Sequence, residues 1–145
     1  MAEVENSEKK FIVSVHGCDE INVRLHQNSE FEISAIGCHQ TLELLRYYKS
    51  LKVNIADWPW PSGQSHSELL LKELILKIQG KWAYPYLAAE ICHCRAISTE
   101  RVDQSILCGA HDLKSIQKAT SASTACGTCH QDVMNIIKYR LGSSY

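Results

Sequence analysis

Seven cysteines and seven histidines stand out in this chain of 145 residues. Four of the cysteines form two close pairs, Cys92-x-Cys94 and Cys126-x-x-Cys129, which are separated by 31 residues. Two such pairs of thiolates match the ligand set of a 2Fe–2S cluster, because each iron binds two bridging sulfides and two cysteine sulfurs. We therefore predict that these four cysteines bind a metal centre, with a 2Fe–2S cluster as the first interpretation.

Two other interpretations of the four cysteines stay open at this point. Zinc also accepts four thiolates in a tetrahedral site, although zinc sites more often use C-x₂₋₄-C for both pairs than C-x-C. Alternatively, the four are buried thiols without a ligand, which the two tight pairs argue against. The pair Cys126 and Cys129 directly precedes a predicted helix, whose N-terminal N–H groups and dipole favour thiolates and an anionic cluster.

The composition predicts a folded protein that is not exported. Hydrophobic residues make up 45% of the chain and charged residues 21%, and the net charge is −1, which argues against disorder and against nucleic acid as a partner. No apolar run approaches the roughly 20 residues of a membrane span, and the polar N-terminus lacks the apolar core of an export signal. We expect a cytoplasmic location without membrane association, where cysteines serve metal or redox chemistry rather than disulfides.

Charge and cysteine content change near residues 81–89. The first 91 residues carry nine Lys/Arg and twelve Asp/Glu, whereas residues 92–145 carry six and four. Two of the seven cysteines precede residue 90 and five follow it. We therefore predict two domains, residues 1–86 and residues 87–145.

The first domain is predicted to be α+β. Three short segments rich in β-branched residues alternate apolar with polar positions and predict an antiparallel three-stranded sheet: 11–15, 21–25 and 30–36. Apolar residues at helical spacing then predict helices over 40–52 and 66–81. Strands followed by two or three helices are typical of an α+β domain.

The second domain is predicted to be small and all-α. Ser98 and Asp112 are good N-caps for helices over 99–107 and from 113 onward, and a last helix follows Cys129. The four paired cysteines then lie just outside helix ends.

Residues 91–142 resemble the 2Fe–2S domain of the bacterioferritin-associated ferredoxin (BFD) type, and more closely the middle domain of NifU-like scaffold proteins. The likeness is carried by C-x-C, a spacing of about 31–33 residues, C-x-x-C, and a "CGA" turn between two helices, here at Cys108-Gly109-Ala110. The resemblance implies an all-helical fold with one 2Fe–2S cluster bound by Cys92, Cys94, Cys126 and Cys129.

The first domain more weakly resembles the IscU-type scaffold. The segment FEISAIGCHQ is similar to the strand and loop that carry one ligand cysteine of that family, and Cys18-Asp19 is similar to its Cys-Gly-Asp loop. The segment from Pro61 to Ser67 places His66 where the family has its third cysteine. The family's N-terminal helix and Leu-Pro-Pro segment are missing, so the resemblance implies a degenerate scaffold domain in the domain order of NifU.

A second, weaker site for iron or zinc is predicted from Cys18, Asp19, Cys38 and His66. Cysteine, histidine and aspartate are all competent ligands once deprotonated. The alternative is that Cys38 packs as a small hydrophobic residue at a strand end and that His66 lies on the surface. Cys108 is predicted to be a packed thiol that binds no metal.

These sites predict a 2Fe–2S protein of the NifU-like type that acts in iron–sulfur cluster assembly or delivery. Two alternatives are ferredoxin-like electron transfer to a docked partner and a structural or regulatory module that binds zinc or a cluster. We expect no enzymatic activity, because the sequence has no Ser-His-Asp arrangement, phosphate loop or paired-carboxylate motif. The expected partners are iron–sulfur assembly proteins, apo-acceptors or a redox partner, and a homodimer is a further expectation.

Overall fold

A three-stranded antiparallel sheet begins the fold in the computed structural model, which describes residues 8–26, 30–124, 127 and 129–141. Its strands are β1 (Lys9–Val15), β2 (Asp19–Leu25) and β3 (Phe31–Ile36), in the order β1-β2-β3. Successive side chains of a strand point to opposite faces of the sheet, and one face is buried through Val13, Val15, Ile21 and Val23. The predicted three-stranded sheet is confirmed.

Two helices and a short 3₁₀ helix follow the sheet. They are α1 (His39–Ser50), the 3₁₀ helix Ile55–Asp57, and α2 (His66–Ile78). Helix α2 is buried nearly all round, since five of its apolar residues are at most 1% exposed: Leu69, Leu70, Leu71, Leu74 and Ile75. A helix of this kind lies between other elements, and α2 contacts β1 and α1 as well as two helices of the second part, at 99–107 and 130–141. The mixed α+β class is thereby confirmed.

The second part of the chain combines three helices with a small β-hairpin. Its strands β4 (Glu90–Cys92) and β5 (Ile97–Ser98) pair antiparallel, and the helices are α3 (Thr99–Leu107), α4 (Leu113–Thr120) and α5 (His130–Leu141). The predicted helices are confirmed, but the all-α prediction is wrong because the hairpin holds the first cysteine pair. Strands of three and two residues are too short to produce a recognisable alternation.

A buried charged network joins the two parts. Arg140 on α5 binds Asp103 on α3 through two hydrogen bonds of 2.7 and 2.6 Å, and its other nitrogen lies 2.5 Å from Glu73 on α2. Lys72 on α2 donates to the carbonyl of Leu141 at 3.1 Å. The two parts are therefore packed together, and the division at residues 86 and 87 stays a prediction. Within the described ranges, no helix is both long and apolar enough to cross a membrane.

Candidate metal centres

Four metal-competent side chains meet at one end of the sheet. Cys18 lies in the turn between β1 and β2, and Asp19 is the first residue of β2. Cys38 immediately precedes α1, and His66 is the first residue of α2. The structure thus brings together all four residues of the weaker predicted site, which we call the first centre.

The Asp19 carboxylate is the middle of the first centre. Its side chain is completely buried, and its Oδ1 accepts the backbone N–H of Cys38 at 2.7 Å. Its Oδ2 lies 2.9 Å from His66 Nε2 and 3.5 Å from Cys18 Sγ. The His66 Nε2 is also 3.1 Å from Cys38 Sγ. One ligand atom each from Cys18, Asp19 and His66 falls within a mutual distance of 4.8 Å, which is compact enough to hold one metal ion.

The two thiols of the first centre have opposite electrostatic surroundings. The Thr41 hydroxyl, 3.4 Å from Cys38 Sγ, lowers the pKa of Cys38 most, followed by the Thr41 backbone N–H and His66. The position of Cys38 at the start of α1 adds the helix dipole in the same direction. Burial and the charge of Asp19 raise the pKa of Cys18. Cys38 is therefore the thiol that more readily supplies a thiolate to a metal.

Local sequence features fix the positions of these donors. A Cβ atom added to Gly37 would overlap the Asp19 carboxylate, so only glycine lets the loop before Cys38 approach that carboxylate. On the opposite side, Ser65 caps α2 by accepting the Glu68 N–H at 3.3 Å, while Glu68 accepts from the Ser65 hydroxyl at 2.9 Å. This N-cap holds the first turn of α2, from which His66 reaches Asp19.

The donor set of the first centre suits a thiophilic divalent metal. Two sulfurs, an imidazole nitrogen and a carboxylate oxygen are the ligand types of zinc and iron sites. Cys38 is half-buried and Cys18 is exposed, so one side of the centre is open to solvent. The alternative of an isolated, packed Cys38 does not describe this arrangement, since its sulfur contacts both His66 and Thr41. Metal binding at this centre stays a prediction.

The second centre consists of the four paired cysteines of the second part. Cys92 ends β4, Cys94 lies exposed in the β4–β5 connection, and Cys129 directly precedes α5. Cys92 and Cys129 are 2% and 6% exposed, and their thiols interact directly with each other. Cys126 lies outside the described residues. The structure thus brings one cysteine of each pair together, as a shared ligand set requires.

Cys129 is placed at the positive end of a helix. Its carbonyl accepts the first hydrogen bond of α5, from the Val133 N–H at 3.0 Å, which makes Cys129 the N-cap. Burial raises the pKa of the Cys129 thiol, and the Ser123 hydroxyl beside it opposes this rise. A metal ion bound by Cys129 would lower the pKa of this thiol instead, because a coordinating thiol is deprotonated outright.

Left-handed backbone angles recur among the described residues of the loop before Cys129. Ser121, Ser123 and Gly127 all have left-handed backbone angles, with φ of 65°, 63° and 72°. Where left-handed and right-handed residues follow one another, their backbone N–H groups can point to one side of a loop. Such loops are found around iron–sulfur clusters. The His130 ring lies 3.1 Å from the Ser123 carbonyl, and a Cβ on Gly127 would come 3.2 Å from that ring. The described residues of the second centre therefore fit a 2Fe–2S cluster.

Sequence reasoning missed several residues that support these centres. Thr41 and its hydroxyl partner Ser67, 2.6 Å apart, lie behind Cys38, and Gly37 makes room for Asp19. Thr41 follows the N-cap Cys38 by three residues, which is the one local signal that could have identified it. Cys108, predicted to be packed, is exposed at the end of α3.

Comparisons with known proteins agree with the second centre. Residues 90–139 match the model of the BFD-like 2Fe-2S binding domain family. A segment of 53 residues is 36% identical to the nitrite reductase (NAD(P)H) large subunit of Klebsiella oxytoca, covering 37% of this chain and 6% of that protein. No solved structure is significantly similar. Because the matched family binds a 2Fe–2S cluster, the predicted cofactor is confirmed.

Proposed function

We propose that this chain, with its BFD-like 2Fe–2S domain, is a carrier in iron–sulfur cluster assembly or delivery. In this proposal Cys92, Cys94, Cys126 and Cys129 hold the resident cluster. The first centre binds iron or a cluster in transit, as cargo. The chain acts as a carrier of NifU-like type rather than as an enzyme, and its partners are assembly proteins and apo-acceptors.

The observation that carries this proposal is the first centre itself. Its donors come from three separate segments, yet they converge on one buried carboxylate. The buried Asp19 carboxylate is held by His66 and the Cys38 N–H, and a bound cation would compensate its charge further. The open side at Cys18 and the mixed donor set favour a ligand that is bound and released rather than held permanently. The likeness of residues 1–86 to IscU-type scaffolds supports the same assignment.

The resident cluster has a separate role in this proposal. When bound, a 2Fe–2S cluster supplies a one-electron redox centre. The buried Cys92 and Cys129 would shield such a cluster from water, and Cys129 at the start of α5 would hold it near the positive end of that helix.

Cluster transfer tests the proposal. The full chain, purified with its second-centre cluster, is loaded with iron and sulfide and mixed with a 2Fe–2S apo-ferredoxin without a reductant. We expect transfer from wild type that falls at least tenfold in Cys38→Ser, with the resident cluster retained in both. Transfer at the same rate from Cys38→Ser, or only at the rate of free iron and sulfide, would contradict a carrier function of the first centre.

Electron transfer is the second candidate, and the likeness to a nitrite reductase subunit favours it. That relative is by name a reductase. In this case the second centre cycles between two oxidation states while its iron content stays constant. Reduction and reoxidation over many turnovers with a redox partner, without any loss of iron to an apo-acceptor, would favour electron transfer over delivery.

A further inference from the structure

The two cysteines of the first centre lie opposite each other at the ends of neighbouring strands. Glu20 of β2 pairs with Ile36, the last residue of β3. The two strands run in opposite directions, so the same register continued by two positions sets Cys18 opposite Cys38. The sheet register therefore points to a cross-strand pair of thiols at this end of the sheet.

Contacts beyond the last paired residues show that the two chain segments stay adjacent there. Gly37 comes so close to Asp19 that an added Cβ atom would overlap the carboxylate, and the Cys38 N–H donates to Asp19 Oδ1 at 2.7 Å. Opposed residues of antiparallel strands have Cα atoms about 4.5–5.5 Å apart, and disulfides join residues whose Cα atoms are about 4.4–6.8 Å apart. A disulfide can therefore bridge Cys18 and Cys38 without rearrangement of the sheet.

The sulfur atoms of this pair contact the same carboxylate oxygen. Cys18 Sγ lies 3.5 Å from Asp19 Oδ2, and Cys38 Sγ lies 4.0 Å from it. The two sulfurs are therefore no farther apart than these two distances combined. Cys18 is exposed, Cys38 is half-buried, and neither is in a disulfide. Rotation of the exposed Cys18 side chain brings the sulfurs together without displacing packed atoms, and a small solute can reach them.

We propose that Cys18 and Cys38 form a reversible disulfide that closes the first centre to metal. This inference rests on the first centre as the metal site of the proposed function. The metal ligand is a thiolate, which a disulfide sulfur is not. Oxidation therefore removes two of the four donors and leaves Asp19 and His66, whose Oδ2 and Nε2 atoms lie 2.9 Å apart. The centre then loads metal only in its reduced form.

The oxidant in this proposal is a low-molecular-weight disulfide, for which oxidised glutathione is the probe. One thiolate of the pair attacks a glutathione sulfur, the S–S bond of glutathione breaks, and one glutathione thiolate leaves. The other cysteine then attacks the mixed disulfide and releases the second glutathione. The two protein thiols lose two electrons and two protons, which convert one glutathione disulfide to two thiols. The same steps in reverse reopen the centre.

Equilibration with glutathione tests the inference. The full chain, with its resident cluster in place and loosely bound metal removed, is incubated in mixtures of reduced and oxidised glutathione. Free thiols are blocked with N-ethylmaleimide, and mass spectrometry identifies cross-linked peptides. After removal of glutathione, zinc affinity is measured against a chromophoric chelator while the visible spectrum monitors the cluster. The variants are Cys18→Ser and, as a matched control, Cys108→Ser, which removes another exposed thiol.

We expect a Cys18–Cys38 cross-link in wild type and in Cys108→Ser, but only a glutathione adduct at Cys38 in Cys18→Ser. We also expect zinc to bind at least about tenfold more weakly to oxidised than to reduced wild type, and its affinity to return on reduction. Glutathione adducts without a cross-link, or equal zinc affinities of the two forms, would overturn the inference, while zinc binding by the reduced chain keeps the first centre. Absence of zinc binding by reduced wild type would overturn both.

Discussion

Cys38 has neighbours that favour its ionised form. The Thr41 hydroxyl lies 3.4 Å from its sulfur and lowers the pKa of Cys38 most, and the Thr41 N–H and His66 lower it further. Burial and Asp19 act in the opposite direction on Cys18. Two thiols that share one carboxylate therefore differ in reactivity, because the thiolate is the nucleophile and the metal ligand.

This difference predicts the pH dependence of alkylation in protein from which loosely bound metal has been removed. A lowered pKa means that thiolate forms at lower pH, so the iodoacetamide rate at Cys38 reaches its half-maximum at lower pH than the rate at Cys18. Thr41→Val is expected to move the Cys38 profile to higher pH, whereas Thr41→Ser, which keeps a hydroxyl, leaves it near that of wild type. Peptide mass spectrometry measures both rates. Identical profiles for Cys38 and Cys18, or a Thr41→Val profile like that of wild type, would refute the assigned role of Thr41.

At the scale of elements, the first centre depends on how closely the loop before α1 approaches the start of β2. Gly37 leaves no room for a Cβ beside Asp19. The same loop provides the Cys38 N–H that binds the carboxylate at 2.7 Å. Any side chain at Gly37 must therefore move either the carboxylate or the loop.

We predict that Gly37→Ala abolishes or strongly weakens zinc binding at the first centre and leaves the second-centre cluster in place. Gly80→Ala is the control, since it introduces a Cβ into open space at a φ of +71° in a turn after α2. It is expected to cost about 1 kcal/mol of stability through backbone strain alone. Zinc affinity and unfolding in urea are measured for both variants. Normal zinc affinity in Gly37→Ala would show that the contact with Asp19 does not organise the centre.

The helices were predictable because an N-cap residue in the local sequence marks where each of three helices begins. Ser65, Ser98 and Asp112 each accept a backbone N–H three residues later, as expected of N-caps. The hairpin of β4 and β5 was not predictable from alternation, since its strands have three and two residues. Its pairing holds Cys92 buried at the end of β4, which the all-α prediction did not anticipate.

Residue type and resemblance identified the metal-binding side chains of the first centre. They did not identify the neighbouring residues that hold those side chains in place. The contact between Gly37 and Asp19 spans 18 positions of sequence, and Thr41 reaches Ser67 across 26. Such contacts depend on the packing of whole elements, which no local pattern encodes.

At the scale of the whole molecule, α2 and α5 are joined by buried charges. The Arg140 side chain is 5% exposed and pairs with Asp103 and Glu73, whose side chains are 14% and 7% exposed. The Trp82 ring covers the guanidinium, with its centroid 5.0 Å from Cζ. Removing the arginine would leave Glu73 with Lys77, 2.8 Å away, and Asp103 with the Tyr84 hydroxyl, 2.8 Å away, but without the guanidinium that pairs with both.

We predict that Arg140→Met destabilises the chain by about 3–5 kcal/mol, the usual cost of breaking a buried ion pair from one side. Arg46→Met is the matched control, because Arg46 is 77% exposed and pairs only at the surface with Glu43. Its cost is expected to stay below about 1 kcal/mol. Urea unfolding followed by circular dichroism measures both. Similar stabilities for the two variants would show that the network between the two parts contributes little.

The count of iron and sulfide in protein purified without oxygen tests the central claim most directly. We predict about two irons and two acid-labile sulfides per chain, with the visible spectrum of a 2Fe–2S cluster. The cluster is expected to be lost in Cys129→Ala and retained in Cys108→Ser, since Cys108 lies outside the ligand set. A colourless protein with one zinc per chain, or a full cluster spectrum in Cys129→Ala, would contradict the assignment of the second centre.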